Sequence, residues 1–341
     1  MKKIGLKEIA EHVGVSAALV SYVLNGQAVE KQVNKETAER IELAAAQLNY
    51  RPNNIARSLK TKKSHTIGLV VADINYRFST GITRAIEEEA KKHNYTVIYG
   101  SSNERTDKFA ELINVFLNRR VDGLIIVPVE NCENQILLLQ RYEIPFVLVD
   151  RNFPGIKTNY IALDNFKASY TATNYLIDKG HKNICFVNYE TTLYHLHERN
   201  RGFKVALKEN GIKYKPGCLL EIPNDNRDEI YSNVKIAMDK MFKSKTPFDA
   251  LFFATDTLAS NGLKYLNELN IKVPDVLSVM SFDQSDAFEL FYCSITHSRQ
   301  PLEEMGKQAV NTLVELMDNM KVSKQVSLEA DLIIGQSCKE V

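Results

Sequence analysis

Apolar positions in the first fifty residues repeat at helical spacing in three short segments. Residues 6–13 place their apolar side chains on one helical face. A second segment begins after Ser16, which can cap it, and a third runs over roughly residues 35–48. Two short helices joined by a turn that contains Gly14, followed by a third helix, predict an all-α helix-turn-helix head.

From residue 66 the pattern changes to continuous apolar runs that alternate with amphipathic segments. The runs TIGLVVAD, DGLIIVP and PFVLVD are typical of buried parallel strands, and helical segments separate them. The same alternation restarts at YIALDN and continues to LSVMSFD. This rhythm predicts an α/β body of two doubly wound parallel-sheet lobes. No linker rich in glycine, serine or proline separates the two lobes, so we expect them to be tightly joined.

Composition alone indicates an ordinary soluble globular chain, but the charge is distributed unevenly. The 341 residues are 44% hydrophobic and 25% charged, with a net charge of +1. Residues 1–63 carry eleven lysines and arginines against six acidic residues, so the remainder is mildly acidic. A basic head on an acidic body favours a polyanionic partner for the head, such as double-stranded DNA. A solvated basic surface is the alternative.

The five cysteines have no metal-binding or redox spacing, and their number is odd. Free thiols in a reducing compartment fit this pattern better than a disulfide framework. The N-terminal segment MKKIGLKEIAEHVG lacks the apolar region of a signal peptide, and no apolar run approaches membrane length. We therefore expect a cytoplasmic protein that does not meet the membrane and that needs neither a metal nor a cofactor.

The second helix of a helix-turn-helix unit enters the major groove, so its exposed side chains are candidate DNA contacts. The candidates on this helix and its flanks are Ser16, Ala17, Ala18, Ser21, Tyr22 and Asn25. Ser16 and Asn25 can hydrogen-bond phosphates, while Tyr22 brings a ring and a hydroxyl to the bases. The two alanines can contact thymine methyl groups, or can be present only as good helix formers.

A bulky aliphatic residue stands in the basic segment RPNNIARSLKTKKS, residues 51–64. Leu59 lies between Arg57 and Lys60, and a helix here is too short to be stable alone in water. An apolar wedge of this kind can unstack a base step in the minor groove. Asn53 and the two flanking basic residues can then supply groove and phosphate contacts. The alternative is a plain linker whose leucine packs on the body.

Ligands of open α/β sheets bind beyond the carboxyl ends of the strands, so polar residues at strand ends are candidate effector contacts. The aspartates that follow predicted strands are Asp73, Asp164, Asp256 and Asp283. The basic and aromatic candidates are Arg199, Phe78, Tyr194 and Phe282. Such groups hydrogen-bond vicinal hydroxyls and pack the apolar face of a sugar. An aspartate at a strand end can instead cap the next helix, which is the alternative for Asp164 and Asp256.

Several short motifs together resemble the lactose-repressor/galactose-repressor (LacI/GalR) family of bacterial transcription regulators. They are GVS at 14–16, VLNG at 23–26, YRPN at 50–53 and ARSL at 56–59. The resemblance implies that residues 53–60, including Ala56, form a hinge that becomes helical on DNA. It also implies that two hinges of a homodimer meet in the minor groove, where Leu59 wedges between base pairs. The chain departs from many members at Tyr22, Ala17 and Ala18, so the operator sequence cannot be carried over.

The resemblance also implies a body similar to periplasmic sugar-binding proteins. Arg199 and Asp283 match positions that grip the effector in relatives, whereas Thr255 and the segment 75–78 depart from the usual motifs. The implied domains are a DNA-binding head at 1–50, a hinge at 51–64 and an effector-binding and dimerisation body at 65–341. We expect an N-lobe of about 65–162 and 296–325, a C-lobe of about 163–295 and 326–341, and a dimer surface that includes the helix after residue 301.

The resulting prediction is a sequence-specific regulator, acting as a repressor of carbohydrate-utilisation genes through a pseudo-palindromic operator and a sugar effector. A non-sugar metabolite or a protein corepressor is the alternative within the family. An α/β enzyme is disfavoured, because the chain has no nucleophile elbow, phosphate loop or dinucleotide fingerprint. We interpret His195 and His197 as ordinary surface or packing residues. A sugar-transport component would leave the head unexplained.

Overall fold

The computed structural model describes residues 4–50, 63–215, 217–224, 226–243 and 247–341. The chain divides into two compact units, Met1–Ser64 and His65–Val341. The predicted hinge contacts Asn53, Ala56, Arg57, Leu59 and Lys60 lie outside the described residues. The first unit contains the predicted head and the second contains the α/β body, so the two are described in turn.

The head consists of three helices, α1 (Leu6–Val13), α2 (Ala17–Leu24) and α3 (Lys35–Gln47). Gly14 ends α1 with a left-handed backbone angle φ of 76°, which glycine adopts at little cost. Arg40 in α3 donates from Nη2 to the Val13 carbonyl at 2.9 Å and so fixes α3 against the end of α1. The buried core residues are Ile9, Ala10, Val13, Val20, Val23, Ile41, Ala44 and Ala45.

The body begins with five strands and three helices that alternate along the chain. The strands are β1 (Thr66–Val71), β2 (Thr96–Ser101), β3 (Gly123–Ile126), β4 (Phe146–Val149) and β5 (Tyr160–Leu163). The helices are α4 (Arg77–Lys92), α5 (Thr106–Asn118) and α6 (Glu133–Arg141). Strands β1, β3 and β4 are buried along almost their whole length, as their continuous apolar runs predict.

A second set of alternating elements follows. The strands are β6 (Ile184–Tyr189), β7 (Leu219–Ile222), β8 (Ala250–Phe253), β9 (Ser278–Phe282) and β10 (Thr296–Arg299). The helices are α7 (Asn165–Asp178), α8 (Tyr194–Glu209), α9 (Ile230–Phe242), α10 (Asp256–Glu268) and α11 (Asp286–Leu290). The chain ends with α12 (Leu302–Asp318), β11 (Gln325–Leu328) and β12 (Asp331–Ile333).

The strands form two sheets of the same design. The first has the order β11-β5-β4-β3-β1-β2, and the second has the order β12-β10-β9-β8-β6-β7. All the pairings are parallel except that of β12 with β10. The predicted α/β body of two doubly wound lobes is therefore confirmed. Because both lobes are wound alike, the carboxyl ends of β1 and β4 correspond to those of β6 and β9.

The chain crosses between the lobes three times, after β5, after β10 and between β11 and β12. The last two crossings fall a few residues later than the expected boundaries at 296 and 326. Strand β10 pairs with β9, and β11 pairs with β5 over residues 325–328, so each strand completes its sheet before the chain leaves the lobe. Gln300 and the short segment after β11 therefore lie at the junction of the two lobes.

Helix α12 returns to the first lobe, where it packs on α4 and over β3, β4 and β5. The two helices approach closely at Gly306, where a Cβ would come within 2.6 Å of the Ala85 Cβ. Each lobe has its own buried apolar cluster, and together these clusters hold the strand ends rigidly in place. Among the described residues, no helix is both long and apolar enough to cross a membrane.

Candidate functional site

The second helix of the head is positioned by a serine cap. Ser16 Oγ accepts a hydrogen bond from the Leu19 N–H at 3.2 Å and fixes the start of α2. At the other end, Asn25 Nδ2 donates to the Ser21 carbonyl at 2.7 Å and lies 3.2 Å from the Ser21 hydroxyl. Ser16 and Asn25 are exposed and Ser21 is half-buried, so these polar groups remain at the surface of the helix.

The remaining candidate DNA contacts differ in exposure. Ala18 is exposed, whereas Ala17 is half-buried and packs against the core of the head. Tyr22 is half-buried, and the Lys31 ammonium lies 5.9 Å from its ring centroid. The structure therefore gives Ala17 a packing role in addition to any contact with DNA, and it presents Ala18 and Tyr22 on the outer side of α2.

In the body, a cleft between the two lobes collects residues from the carboxyl ends of both sheets. The first lobe lines it with Tyr76, Phe78, Glu104, Asp150 and Arg151. The second lobe lines it with Tyr189, Leu193, His195, Leu196, Arg199, Asn224, Thr255, Asp256, Thr257, Asp283 and Gln300. The cavity has a volume of about 60 Å³, far below the 300–1,000 Å³ of most ligand pockets. The lobes thus stand close together, and a sugar-sized ligand requires them to separate.

Arg199 is held in the cleft by the second lobe, and it is only 2% exposed. Its Nε donates to Asn165 Oδ1 at 2.8 Å, and its Nη1 donates to the Ala254 carbonyl at 2.6 Å. The guanidinium lies 4.0 Å from the Phe282 ring centroid and 3.6 Å from Asp283 Oδ2. Phe282 is fully buried behind the arginine, so it supports the guanidinium and does not line the cleft.

A second arginine enters the cleft from the first lobe. Arg151 Nη1 and Nη2 donate to the two carboxylate oxygens of Glu104 at 2.8 and 2.7 Å, and Nη1 also lies 3.1 Å from the Pro128 carbonyl. This fork geometry is the strong form of an ion pair. Asp150 Oδ2 lies 3.5 Å from Arg151 Nε. Burial raises the pKa of Asp150 to about 6, against the opposing effect of Arg151.

Two more carboxylates come from the second lobe. Asp256 Oδ1 accepts from the Thr257 N–H at 2.8 Å, and burial, with the nearby Asp283 charge, raises the pKa of Asp256 to about 7. Gln300 Nε2 donates to Asp283 Oδ1 at 2.6 Å. Thr255, and not Asp256, caps α10 by accepting from the Leu258 N–H at 3.3 Å. The helix-cap alternative for Asp256 is therefore wrong, and its carboxylate faces the cleft.

Four of the predicted effector contacts, Phe78, Arg199, Asp256 and Asp283, line the cleft together. Asp73, Asp164, Tyr194 and Phe282 lie elsewhere. Asp73 is buried and accepts from the Asn75 N–H at 2.8 Å, since it closes a turn after β1. Asp164 caps α7 by accepting from the Lys167 N–H at 2.9 Å, and with Tyr194 it lines a separate depression of about 450 Å³.

Other residues of the cleft were not predicted from the sequence. Asp150 follows β4 directly, so the rule that ligands bind at strand ends could have identified it together with Arg151. His195 lies in the first turn of α8, is buried and lines the cleft, whereas His197 is exposed. The burial of His195 fits the expected packing role, and its place in the lining makes it a further candidate contact. Burial and the neighbouring arginines keep the pKa of His195 well below its usual value, so its ring is neutral.

The lobes also contact each other beside the cleft. Glu130 of the first lobe accepts from the Thr191 hydroxyl and from the Thr192 N–H, the latter at 2.7 Å. Arg77 of the first lobe forms an ion pair with Asp286 of the second. These polar contacts lie at the surface and are individually weak, so they can break when the lobes separate.

Comparison with known proteins gives two family matches and full-length relatives. The model described as "Bacterial regulatory proteins, lacI family" matches residues 5–53, and that of a periplasmic binding protein-like domain matches residues 173–338. The HTH-type transcriptional regulator RegA of Clostridium saccharobutylicum is 32% identical over 97% of this chain and 98% of its own length. The HTH-type transcriptional repressor PurR of Histophilus somni (strain 2336) is 29% identical over 98% of both chains. Catabolite control protein A of Priestia megaterium is 29% identical over 94% of both.

Solved structures show the same fold. The lac repressor dimer bound to operator and the anti-inducer ONPF has a TM-score of 0.86 at 21% identity and covers 99% of this chain and 100% of that one. The complex of the transcriptional regulator CelR with cellobiose has a TM-score of 0.71 at 23% identity, covering 98% and 99%. With its helix-turn-helix head, its two-lobed body and relatives named as regulators and not as enzymes, the chain belongs to the lacI family of bacterial DNA-binding transcriptional regulators.

Proposed function

We propose that this chain represses genes of carbohydrate utilisation by binding a pseudo-palindromic operator as a homodimer. A small sugar or sugar-derived effector in the interlobe cleft changes the affinity for that operator. The observation that supports an effector is the cleft, where buried polar atoms from both lobes converge without hydrogen-bond partners among the described residues. Such a cleft suits a small polar ligand. The DNA-binding half of the proposal is supported by the lacI family match of the head.

In the head, α2 enters the major groove and reads bases with few side chains. Ser16 and Asn25 bind phosphates, because both are exposed and lie at the two ends of the helix. Ala18, Ser21 and Tyr22 reach base edges, where the alanine contacts a thymine methyl group. Ala17 adds at most a peripheral apolar contact, since it packs partly on the core.

The segment after the head binds the minor groove. Its residues Asn53, Ala56, Arg57 and Lys60 contact the groove walls and phosphates, while Leu59 opens a base step at the centre of the operator. Unstacking costs a few kcal/mol, which two paired segments recover through the additional contacts of a kinked duplex. A change in the distance between the two bodies of a dimer then determines whether both Leu59 side chains can insert between base pairs.

The dimer interface is formed by first-lobe surfaces that include α12. A two-fold protein axis matches the two-fold axis of a pseudo-palindromic operator, which explains why a head with so few base contacts can still be specific. Effector and operator are coupled through the two arrangements of the lobes. By linkage, the operator changes the effector affinity by the same factor as the effector changes the operator affinity.

A sugar fits the cleft better than a protein corepressor does. The unpartnered atoms are buried between the lobes, where only a small molecule can reach them. A structural neighbour of the same fold is named as a CelR–cellobiose complex, which supports a carbohydrate class for this chain as well. A non-sugar metabolite remains the second candidate, because hydroxyls are not the only donors that carboxylates accept.

Selection of bound sequences from random DNA, followed by a sugar screen, tests the proposal. We expect two inverted half-sites and a sugar that changes the dissociation constant of the full operator. The sign of that change tells whether the effector induces or corepresses. A single half-site would contradict the homodimer, and an operator affinity that no sugar or other small metabolite changes would contradict the effector.

A further inference from the structure

We propose that the cleft accepts an uncharged ligand rich in hydroxyl donors, such as a free sugar or polyol, and rejects the phosphorylated and carboxylated forms of the same molecule. This inference rests on the proposed function, since it specifies the ligand of the same cleft. Three features of the cleft support the inference without reference to related proteins. They are its internal charge pairing, the orientation of its unpartnered atoms and its apolar wall.

Both arginines of the cleft already have partners among the described residues, while the buried Arg151 Nε has no hydrogen-bond partner there. Arg151 already holds Glu104 through both of its terminal nitrogens at 2.8 and 2.7 Å. Arg199 is held by Asn165 and a main-chain carbonyl, and Asp283 lies 3.6 Å from its Nη1. An anionic ligand that pairs with either guanidinium competes with these partners, and a displaced carboxylate is left partly buried without its cation.

Carboxylates also outnumber guanidinium groups in the cleft by four to two. Glu104 and Asp283 offset the two arginines, so Asp150 shares Arg151 with Glu104, and Asp256 forms no ion pair among the described residues. Burial raises the pKa of both carboxyls, so the site already resists the negative charge that it has. A phosphate or carboxylate would add further negative charge at short range in a medium of low dielectric constant.

The orientation of the unpartnered atoms favours a ligand that donates hydrogen bonds. Gln300 Nε2 is committed to Asp283, so its unpartnered Oε1 can only accept. Asp150 Oδ1 is likewise buried and unpartnered. The His195 Nδ1 is unpartnered on a neutral ring, so it donates or accepts as its tautomer dictates. Arg151 Nε, Tyr189 Oη and Asn224 Oδ1 are unpartnered as well. Hydroxyl groups satisfy all six atoms, because each hydroxyl both donates and accepts.

An apolar wall of the cleft also favours a sugar or polyol. Phe78 from the first lobe and Leu193 and Leu196 from the second line the same cavity as the carboxylates. Carbon-bound hydrogens of a sugar or polyol can pack on this wall while the hydroxyls face the polar groups. A small cation would satisfy the charge but would leave the apolar surface uncovered, so a neutral molecule with two unlike faces fits better.

Calorimetry on the full-length protein with matched probes tests the inference. The probes are glucose, ribose and galactose, each beside its phosphorylated form, with glucuronate and glucosamine as the acidic and amino analogues. We expect at least one neutral sugar to bind roughly tenfold or more tightly than its anionic counterpart, a difference of about 1.4 kcal/mol. Tighter binding of a phosphorylated sugar, of glucuronate or of glucosamine overturns the inference, as does an absence of binding by all the neutral probes.

A charge-removing variant sharpens the test. Glu104→Gln releases Arg151, so the affinity of an anionic probe relative to its neutral counterpart should rise by roughly tenfold. Glu198→Gln is the matched control, since Glu198 pairs with the exposed Arg201 and does not line the cleft. An unchanged ratio in a Glu104→Gln protein that melts cooperatively overturns the inference. DNA binding measured in parallel separates the two proposals, because operator recognition survives if only the ligand class is wrong.

Discussion

Asp150 and Asp283 occupy equivalent positions in the two lobes and face the same cleft. Each directly follows the fourth strand of its lobe and has a left-handed backbone, with φ of 69° and 63°. The N–H of Asp150 donates to the Ile161 carbonyl, and that of Asp283 to the Ser298 carbonyl, both at 2.9 Å on the neighbouring strand. Both lobes thus place an aspartate with a strained backbone at the same strand end. Such backbone strain is typical of functional sites.

This equivalence places one carboxylate on each wall of the cleft. When the lobes approach, both carboxylates enter a region of low water content where their charges repel each other. A ligand that donates hydrogen bonds to both of them offsets that repulsion and holds the lobes together. The closed arrangement is therefore sensitive to what fills the cleft, which is the property that a ligand-controlled regulator needs.

Arg199→Ala should abolish the response to effector while leaving DNA binding intact. The change removes the hydrogen bonds to Asn165 and Ala254 and leaves buried acceptors unpaired, so we expect a loss of about 2–4 kcal/mol of stability. Calorimetric titration with effector and denaturant unfolding measure the two effects. Arg201→Ala is the matched control on the same helix, because Arg201 is exposed and pairs with Glu198. A full effector response in Arg199→Ala would remove this arginine from the binding site.

The contribution of Asp256 to stability should fall as the pH rises from about 4 to about 7, because folding raises the pKa of this carboxyl. Its pKa is about 7 in the fold, mainly because the carboxyl is buried. The stabilising contribution of the protonated form is complete below the unfolded pKa of about 4 and is lost as the pH passes about 7. Asp256→Asn should therefore stabilise the protein at pH 8, by on the order of 1–2 kcal/mol, and change little at pH 4. Equal effects at both pH values in urea unfolding would contradict the raised pKa.

Strand-end positions in the sequence were a sufficient guide to two of the four carboxylates of the cleft. Asp256 and Asp283 follow apolar runs that are strands, and the same rule identifies Asp150 after PFVLV. Asp164 obeys the rule as well but caps a helix, because there the aspartate itself precedes the first helical residue. After β8 the cap is Thr255, so a shift of one residue decides which aspartate lines the cleft. Periodicity cannot resolve helix starts to one residue.

Other residues that line the cleft belong to no sequence pattern that could have identified them. Glu104 belongs to a turn after β2, and its role exists only because Arg151, 47 residues away, pairs with it. The sequence alone places His195 in a polar loop, yet in the fold it is buried in the first turn of α8 and lines the cleft. Such roles depend on the packing of one lobe against the other, which sequence patterns within a single lobe do not contain.

Gly202→Ala should destabilise the second lobe and weaken effector binding. A Cβ at this position would lie 2.4 Å from the Phe166 carbonyl oxygen and 2.9 Å from the Tyr170 nitrogen, both main-chain atoms of α7. Helix α8 must therefore move away from α7, at a cost of about 1–3 kcal/mol. Gly155→Ala is the matched control, since nothing lies within 4 Å of its Cβ position. Thermal unfolding of both variants measures the difference, and equal melting temperatures would contradict the close approach.

Tyr22→Ala should relax the base preference at one position in each half-site. The ring stands on the outer side of α2, where it reaches a base edge, and its loss removes roughly 1–3 kcal/mol of discrimination at that base pair. Tyr22→Phe separates the hydroxyl from the ring, because only the hydrogen bond is lost. Selection of bound sequences from random DNA gives the profile for each variant. A profile identical to that of the parent protein would assign Tyr22 to packing against Lys31.

Leu59→Ala should weaken binding to the operator far more than binding to random DNA. Random DNA is held mainly by phosphate contacts, which the substitution leaves in place, whereas the kinked operator centre needs a bulky side chain between the base pairs. We expect a loss of a few kcal/mol for the operator and an unchanged salt dependence for both DNAs. Leu137→Ala is the matched control, since Leu137 is 47% exposed on α6 of the body. Gel-shift titrations at several salt concentrations make the comparison, and equal losses on the two DNAs would show that Leu59 does not open a base step.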